Sequence, residues 1–259
     1  MQPLTVALMQ QELAWHDPAT NRRALGTAMS AIGRSVDLIV LPEMFSTGFT
    51  MQPEVAHETM KGETVAWMRE QAKARNAVVC GSLAMRLDDG RFVNRFLWMR
   101  PDDSHVHYDK RHLFRMSGEH EHYVAGGDRV IVFVNGWRIC PQICYDLRFP
   151  VWSRNRADYD LLLYVANWPA ARQHAWTTLL QARAIENLAY VVAVNRVGGD
   201  ANNFAYDGGS TVISPTGETL LSAGTVVSAP VVTIDGATLE TYRDKFPAWR
   251  DADDFSICS

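Results

Sequence analysis

Runs such as Leu38-Ile39-Val40-Leu41, Tyr159 to Ala166 and Tyr190 to Asn195 are almost wholly apolar, with no polar residue at every second position. A strand of that kind has both faces covered, because an exposed face would alternate with polar side chains. Strands are expected at about 4 to 9, 37 to 41, 77 to 84, 92 to 99, 104 to 110, 130 to 134, 138 to 143, 159 to 166, 190 to 195, 210 to 213 and 230 to 234. Helical spacing falls at about 18 to 34, 63 to 75 and 173 to 188, with a short helix after 148 and a turn at Ser214-Pro215-Thr216-Gly217. The opening therefore reads βαβαβ, and the whole chain reads α/β, as sheets whose outer faces are covered by helices. Periodicity alone does not separate two stacked sheets from one long doubly wound sheet. There is no repeat, low-complexity tract or linker, so the 259 residues are read as a single domain.

The polar residues that end these runs carry the chemistry. Cys144 stands where the apolar segment Arg138 to Ile143 meets the polar Tyr145-Asp146-Leu147-Arg148-Phe149-Pro150. A thiol at the carboxyl end of a buried strand can have its thiolate stabilised by backbone N–H groups and stay reachable from a pocket. Glu43 follows Leu41 and Pro42, and Lys110 follows the alternating run His105 to Tyr108, so both can project from strand ends into one crevice. A buried lysine needs carboxylate company, and Gly118-Glu119-His120-Glu121-His122-Tyr123 offers Glu119 and Glu121. The four cysteines do not make a disulfide framework in a chain this long, and Cys80 and Cys140 read as core. A formal net charge of -4 without a Lys/Arg cluster gives no footprint for nucleic acid or a membrane surface. The first residues lack a basic, apolar leader pattern, which points to the cytosol.

Leu41-Pro42-Glu43, Tyr108-Asp109-Lys110-Arg111-His112-Leu113-Phe114 and Cys144-Tyr145-Asp146-Leu147-Arg148-Phe149-Pro150, in this order, resemble the three signatures of the nitrilase superfamily. The resemblance runs from Val6 to about Phe255 and takes in Asn167-Trp168-Pro169 and Ala182 to Asn187. It implies a four-layer αββα sandwich, here one carbon-nitrogen hydrolase domain over 1–259 with a tail from about 236, paired into a homodimer or higher homo-oligomer. It also implies Cys144 as nucleophile, Glu43 as general base and acid, Lys110 and the Tyr145 backbone N–H as oxyanion donors, and no cofactor or metal. Counting back from Gly126, as the family pattern has it, selects Glu119 as the second glutamate, with Glu121 as the fallback.

The surroundings resemble the bacterial omega-amidase branch, as does the tail Tyr242 to Trp249, which implies a small-molecule amide such as 2-oxoglutaramate or 2-oxosuccinamate. A substrate carboxylate calls for a cation, and Arg115 or Arg172 is expected to supply it, with Trp168, Phe49 and Phe114 as pocket walls. Asp146 and Arg148 are expected to brace the turn by an ion pair, and Glu186 with Asn187 to fix a helix end. A nitrilase or an N-carbamoyl amino acid amidohydrolase suits the same three residues. Two readings of another class are a catalytically silent scaffold and a metal site built from His105, His107, His112, His120 and His122.

Overall fold

The structure, a computed structural model, describes residues 1–257; Cys258 lies outside the described residues. The first half of the chain runs β1 (Leu4–Leu8), α1 (Pro18–Ser30), β2 (Leu38–Val40), α2 (Glu63–Arg75), β3 (Val78–Arg86), β4 (Phe92–Met99) and β5 (His105–Asp109). After one helical turn, α3 (Glu119–His122), the second half runs β6 (Val132–Val134), β7 (Trp137–Ile143), α4 (Pro150–Ser153), β8 (Leu161–Ala166), α5 (Gln173–Asn187) and β9 (Tyr190–Asn195). It closes with β10 (Val197–Gly199), β11 (Ala205–Asp207), β12 (Thr211–Ile213), β13 (Thr219–Ser222), β14 (Val231–Ile234) and α6 (Gly236–Lys245).

Two six-stranded mixed sheets result, in the orders β14-β1-β2-β3-β4-β5 and β13-β12-β9-β8-β7-β6. The period of two along each strand divides its apolar residues between two cores. Leu4, Val6 and Leu8 face Ile139, Leu161, Leu163 and Val192 of the opposite sheet. The alternate residues Ile39, Leu41, Val79 and Leu97 turn outward onto Leu25 and Met29 of α1 and Val65 and Met68 of α2. On the far side Leu162, Tyr164 and Val191 turn onto Trp176, Leu180 and Ala184 of α5. The layers are therefore α, β, β, α, which resolves the choice that periodicity left open.

Pairing is parallel through β1, β2 and β3, and again through β7, β8 and β9. β5 follows two antiparallel steps after β3, so its carboxyl end lies on the same side as that of β2. The polar residues that end β2, β5, β7 and β8 thus collect at one end of the sandwich, as strand ends do in open α/β sheets.

Three short strands are absent from the sequence reading. β10 and β11 form a two-stranded hairpin around Asp200 to Asn203, and β13 is an exposed edge strand. None carries the apolar run that marks a covered strand. α1 stops at Ser30, four residues before the expected end, where Ala31 N–H closes onto the carbonyls of Thr27 and Ala28. Its buried stripe of Asn21, Leu25 and Met29 has no continuation in Gly33-Arg34-Ser35.

The tail from 236 is tied to the body. Leu239 of α6 is buried against the inter-sheet core, and Arg243 donates to the carbonyls of Leu188 and Tyr159 and to Asp160 Oδ1 at 2.8 Å. Arg138 binds the same carboxylate at 2.7 and 3.0 Å. Burial alone would raise the Asp160 pKa, but the Arg138 hydrogen bonds and the two guanidinium charges outweigh it and hold it below the usual carboxylate range. That stabilisation is complete above the ordinary carboxylate range and fades as pH falls through the depressed value. Asp160→Asn should cost about 2 to 3 kcal/mol at neutral pH, reduced from a fully buried pair because Arg138 meets solvent. Thermal melts should show the variant and wild type converging only in strong acid; a constant difference down to that range would contradict the pairing.

Candidate active site

Glu43 leaves β2 through Leu41-Pro42 and is fully buried. Its Oε1 accepts from Lys110 Nζ at 2.9 Å and from Asn94 Nδ2 at 2.8 Å, and its Oε2 accepts from the Asn167 N–H at 2.8 Å. Asn167, just past β8, also donates its side-chain amide to the Glu43 carbonyl at 2.6 Å. A carboxylate offers about four acceptor positions, so three of them are taken, by a side chain from within β4 and by groups just past β5 and β8.

Lys110, just past β5, is also fully buried. Its ammonium lies 2.9 and 3.0 Å from the two carboxylate oxygens of Glu119, 2.9 Å from Glu43 Oε1, and 5.1 Å from the centre of the Phe49 ring. Burial pushes its pKa down, yet the charges of Glu119 and Glu43 more than reverse this, so it stays an ammonium at any physiological pH. Glu119 opens α3 and also accepts the Phe114 N–H at 2.6 Å. Burial raises its pKa, and Glu43 adds to that while Lys110 opposes it, because two carboxylates share one cation. Glu121 is exposed, so of the two candidates it is Glu119 that meets the lysine. The loop behind α3 returns against Lys110, with Gly126 N–H on the Lys110 carbonyl at 2.9 Å. A Cβ at Gly126 would lie 2.1 Å from the Asp109 carbonyl oxygen, so only glycine allows the approach.

Cys144 is the first residue of a 3-10 turn, Cys144–Arg148, and has φ of +43°. The left-handed conformation lifts it out of the β7 ladder, so it does not continue the side-chain alternation of Cys140. It is half-buried and lines a cavity of about 430 Å³. Its Sγ lies 4.0 Å from the carbonyl of Asn167, the residue whose N–H holds Glu43, and the Glu43 carboxylate is near enough for its charge to act on the thiol. Burial raises the Cys144 pKa first, the Glu43 charge adds to it, and Lys110 opposes both; the thiol rests protonated. Cys80 and Cys140 are fully buried among apolar residues.

The turn is braced differently from expectation. Asp146 does not pair with Arg148. Its Oδ2 accepts from the Ile143 N–H at 2.9 Å and the Tyr108 hydroxyl at 2.7 Å, and its Oδ1 accepts from the His112 N–H at 3.0 Å and bonds His112 Nδ1 at 2.8 Å. A carboxylate facing inward serves the buried donors there, which leaves Arg148 to turn outward over the Trp168 ring, 5.0 Å from its centre, at the cavity wall. Glu186 and Asn187 do hold the end of α5: Arg183 pairs with Glu186 at 2.8 Å, and Asn187 Nδ2 donates to the Arg183 carbonyl at 2.9 Å.

Of the expected pocket residues, Trp168, Phe49, Phe114 and Arg172 line the cavity together with Tyr145. Arg115 does not. It begins the 3-10 turn Arg115–Ser117 with its side chain exposed, and its neighbours Met116 and Ser117 line the cavity instead. Arg172 sits over the Phe114 ring at 5.1 Å. The cavity is also lined by Trp15, Met51 and the hairpin residues Asp200, Asn202, Phe204 and Tyr206, none of which the sequence singled out. Asn94 was also missed, though an asparagine inside the apolar strand β4 is a legible signal. The five clustered histidines disperse: His105 and His107 are on the edge strand β5, His112 stacks on Phe149 at 3.7 Å, and His120 and His122 are on α3. Among the described residues, no three His, Cys, Asp or Glu are grouped to hold a metal ion.

Comparison with known proteins gives one consistent result. The family model described as carbon-nitrogen hydrolase matches residues 5–244. The chain is 50% identical over 259 residues to the omega-amidase YafV of Escherichia coli K12, covering 99% of this chain and 100% of that protein. It is 29% identical over 252 residues to the 2-oxoglutaramate amidase of Bacillus subtilis, covering 95% and 96%. Among solved structures, XC1258 of Xanthomonas campestris, a CN-hydrolase superfamily protein with an arsenic adduct in its active site, superposes with a TM-score of 0.97 at 45% identity over 100% of both chains.

Removing the like charge beside the thiol should free Cys144 to ionise. In Glu43→Gln the ultraviolet thiolate absorbance, with Cys144→Ala as blank, should begin to rise at lower pH than in wild type. An unchanged or higher onset would mean that Glu43 does not face the thiol.

Proposed function

The chain belongs to the carbon-nitrogen hydrolase family, a premise from which we propose that it is an omega-amidase, hydrolysing the terminal carboxamide of a small 2-oxo acid such as 2-oxoglutaramate. It is a hydrolase acting on carbon-nitrogen bonds other than peptide bonds. The observation that carries the reading is the Cys144 thiol at a cavity wall, with a buried carboxylate, Glu43, held by Lys110 and the Asn167 N–H, and a second glutamate, Glu119, on the same lysine.

The chemistry follows from those three groups. An amide carbon needs a strong nucleophile, and a thiol is one only without its proton, so Glu43 takes that proton as Cys144 attacks. As the carbonyl oxygen becomes negative, the Lys110 ammonium and the Tyr145 backbone N–H are the donors assigned to it, fixed dipole and charge costing no reorganisation as the oxyanion forms. Glu43 returns the proton to the nitrogen, ammonia leaves, and a thioester remains. Glu43 then activates water against the thioester, the same two donors hold the second oxyanion, and the dicarboxylate product and free thiol are released. Glu119 keeps Lys110 in place and charged throughout. Protein side chains and backbone suffice for every step.

The substrate's remote carboxylate fits Arg148 and Arg172, which pack on Trp168 and Phe114 at the wall that also holds Cys144. Arg148 enters here on its position, and Arg115 drops out. The proposal extends to one catalytic domain that includes the tail from about 236, pairing of two copies through a helical layer, and a cytosolic site of action. A monomer by light scattering would count against the pairing. No helix among the described residues is long and apolar enough to cross a membrane.

Ammonia release from 2-oxoglutaramate should exceed that from glutamine, an aliphatic nitrile or an N-carbamoyl amino acid, and should vanish in Cys144→Ala. Turnover of the nitrile alone, or carbon dioxide accompanying ammonia from the carbamoyl compound, would move the substrate class and keep the mechanism. A folded wild type that turns over nothing would favour a silent scaffold. For Arg148→Ala and Arg172→Ala, loss of a charge-assisted bond to the carboxylate should raise KM by about 10- to 100-fold with a smaller change in kcat. KM unchanged in both would place the carboxylate elsewhere.

A further inference from the structure

We propose that Asn94 is a positioning residue for the reaction: its side-chain amide is the neutral bridge that keeps two buried carboxylates of like charge, Glu43 and Glu119, apart from each other and aimed at their separate partners. Asn94 is fully buried in the middle of β4, and it does not line the cavity. Its Nδ2 donates to Glu43 Oε1 at 2.8 Å and reaches Glu119 Oε1 at 3.4 Å, while its Oδ1 has no hydrogen-bond partner among the described residues. The orientation of the amide is set by chemistry. Turned over, it would place an acceptor oxygen against two carboxylates and leave both N–H groups without a buried acceptor.

One lysine between two glutamates leaves the set with a net negative charge, and Lys110 alone does not satisfy both acids. Beside the backbone N–H that each acid also accepts, from Asn167 on Glu43 and Phe114 on Glu119, the Asn94 amide is the one side-chain donor they share with Lys110, and it adds no charge. Its backbone takes part as well, since its carbonyl accepts the Lys110 N–H at 2.9 Å, so a single residue of β4 registers all three ionised side chains. With Asn94 and Lys110 on Oε1 and the Asn167 N–H on Oε2, Glu43 keeps one acceptor position, on Oε2, and the Cys144 Sγ lies 4.0 Å from the carbonyl of that same Asn167. The other titratable groups facing this set are Tyr123 and Tyr206. Both phenols are kept neutral by burial, with Tyr123 bonded to the Thr50 carbonyl and Tyr206 to Asp200.

The inference rests on the amidase reading, and the test separates the two. Asn94→Leu keeps the shape and removes the donors; Asn94→Asp keeps the shape and adds a third carboxylate. Two readouts apply, the kcat and KM for 2-oxoglutaramate and the pH onset of Cys144 thiolate absorbance. Without the amide dipole the two carboxylates act on the thiol with less compensation, so the onset should move to higher pH in Asn94→Leu and higher again in Asn94→Asp. The kcat should fall by about 10- to 100-fold in Asn94→Leu with KM little changed, because misplaced groups cost rate and not binding. A wild-type onset in Asn94→Leu, or an onset in Asn94→Asp no higher than wild type, overturns the inference, as does an equal loss from KM alone. If Asn94→Leu does not fold, Asn94→Asp decides by its onset. Should the wild type release no ammonia from 2-oxoglutaramate, the substrate reading fails, and the thiolate onsets still decide the role of Asn94.

Discussion

A permanently charged ammonium in the interior is the constraint from which the rest of this site follows. Lys110 is out of contact with water, and a lone cation there would cost several kcal/mol. Glu43 and Glu119 offset that cost, but they bring an excess negative charge, which Asn94 and the Asn167 N–H moderate by donating to it. Burial raises the Cys144 pKa, the residual negative field adds to it, and together they keep it a thiol. The catalytic proton is therefore in place before the substrate arrives, and the base that removes it also adds to the rise in the thiol's pKa.

Bringing these groups together requires two sheets. Glu43, Asn94 and Lys110 belong to one, Cys144 and Asn167 to the other, and the large apolar layer between them holds the facing strand ends in fixed relation. Tyr108 and Asp146 lock the junction, since a phenol from β5 donates to a carboxylate in the Cys144 turn. That bond is far from any solvent-exposed ion pair in character: it is buried on both sides, and it couples the left-handed backbone of the nucleophile to the strand that carries the lysine. The helices on the outer faces cover the sheets and leave the strand ends open at one end, where the cavity forms.

Much of the fold was legible because covered strands announce themselves by uninterrupted apolar runs. The helix at 63–75 and most strands fell close to their expected positions. β10, β11 and β13 were silent for the opposite reason: short, polar, edge or hairpin strands have no covered face to mark them. The hairpin's place at the cavity wall was hidden with it, along with Tyr206 and Asp200. Asn94 stood in plain view as a buried asparagine in an apolar strand, yet its partners are 51 and 25 residues away along the chain, and no local pattern links them.

By itself the sequence determined the alternation of strands and helices and the ionisable residues that end the strands, because hydrophobic periodicity and residue type are local properties. With the family signatures it also pointed to Glu43, Lys110 and Cys144 as a set. The family pattern selected Glu119 over Glu121 as well, and it is Glu119 that meets the lysine. Only the tertiary structure decided that Asp146 faces inward to Tyr108 and His112, and that Arg148 instead of Arg115 reaches the cavity. Each of those outcomes depends on which way one side chain turns at a bend, and that is set by the groups that residues distant in the chain bring around it.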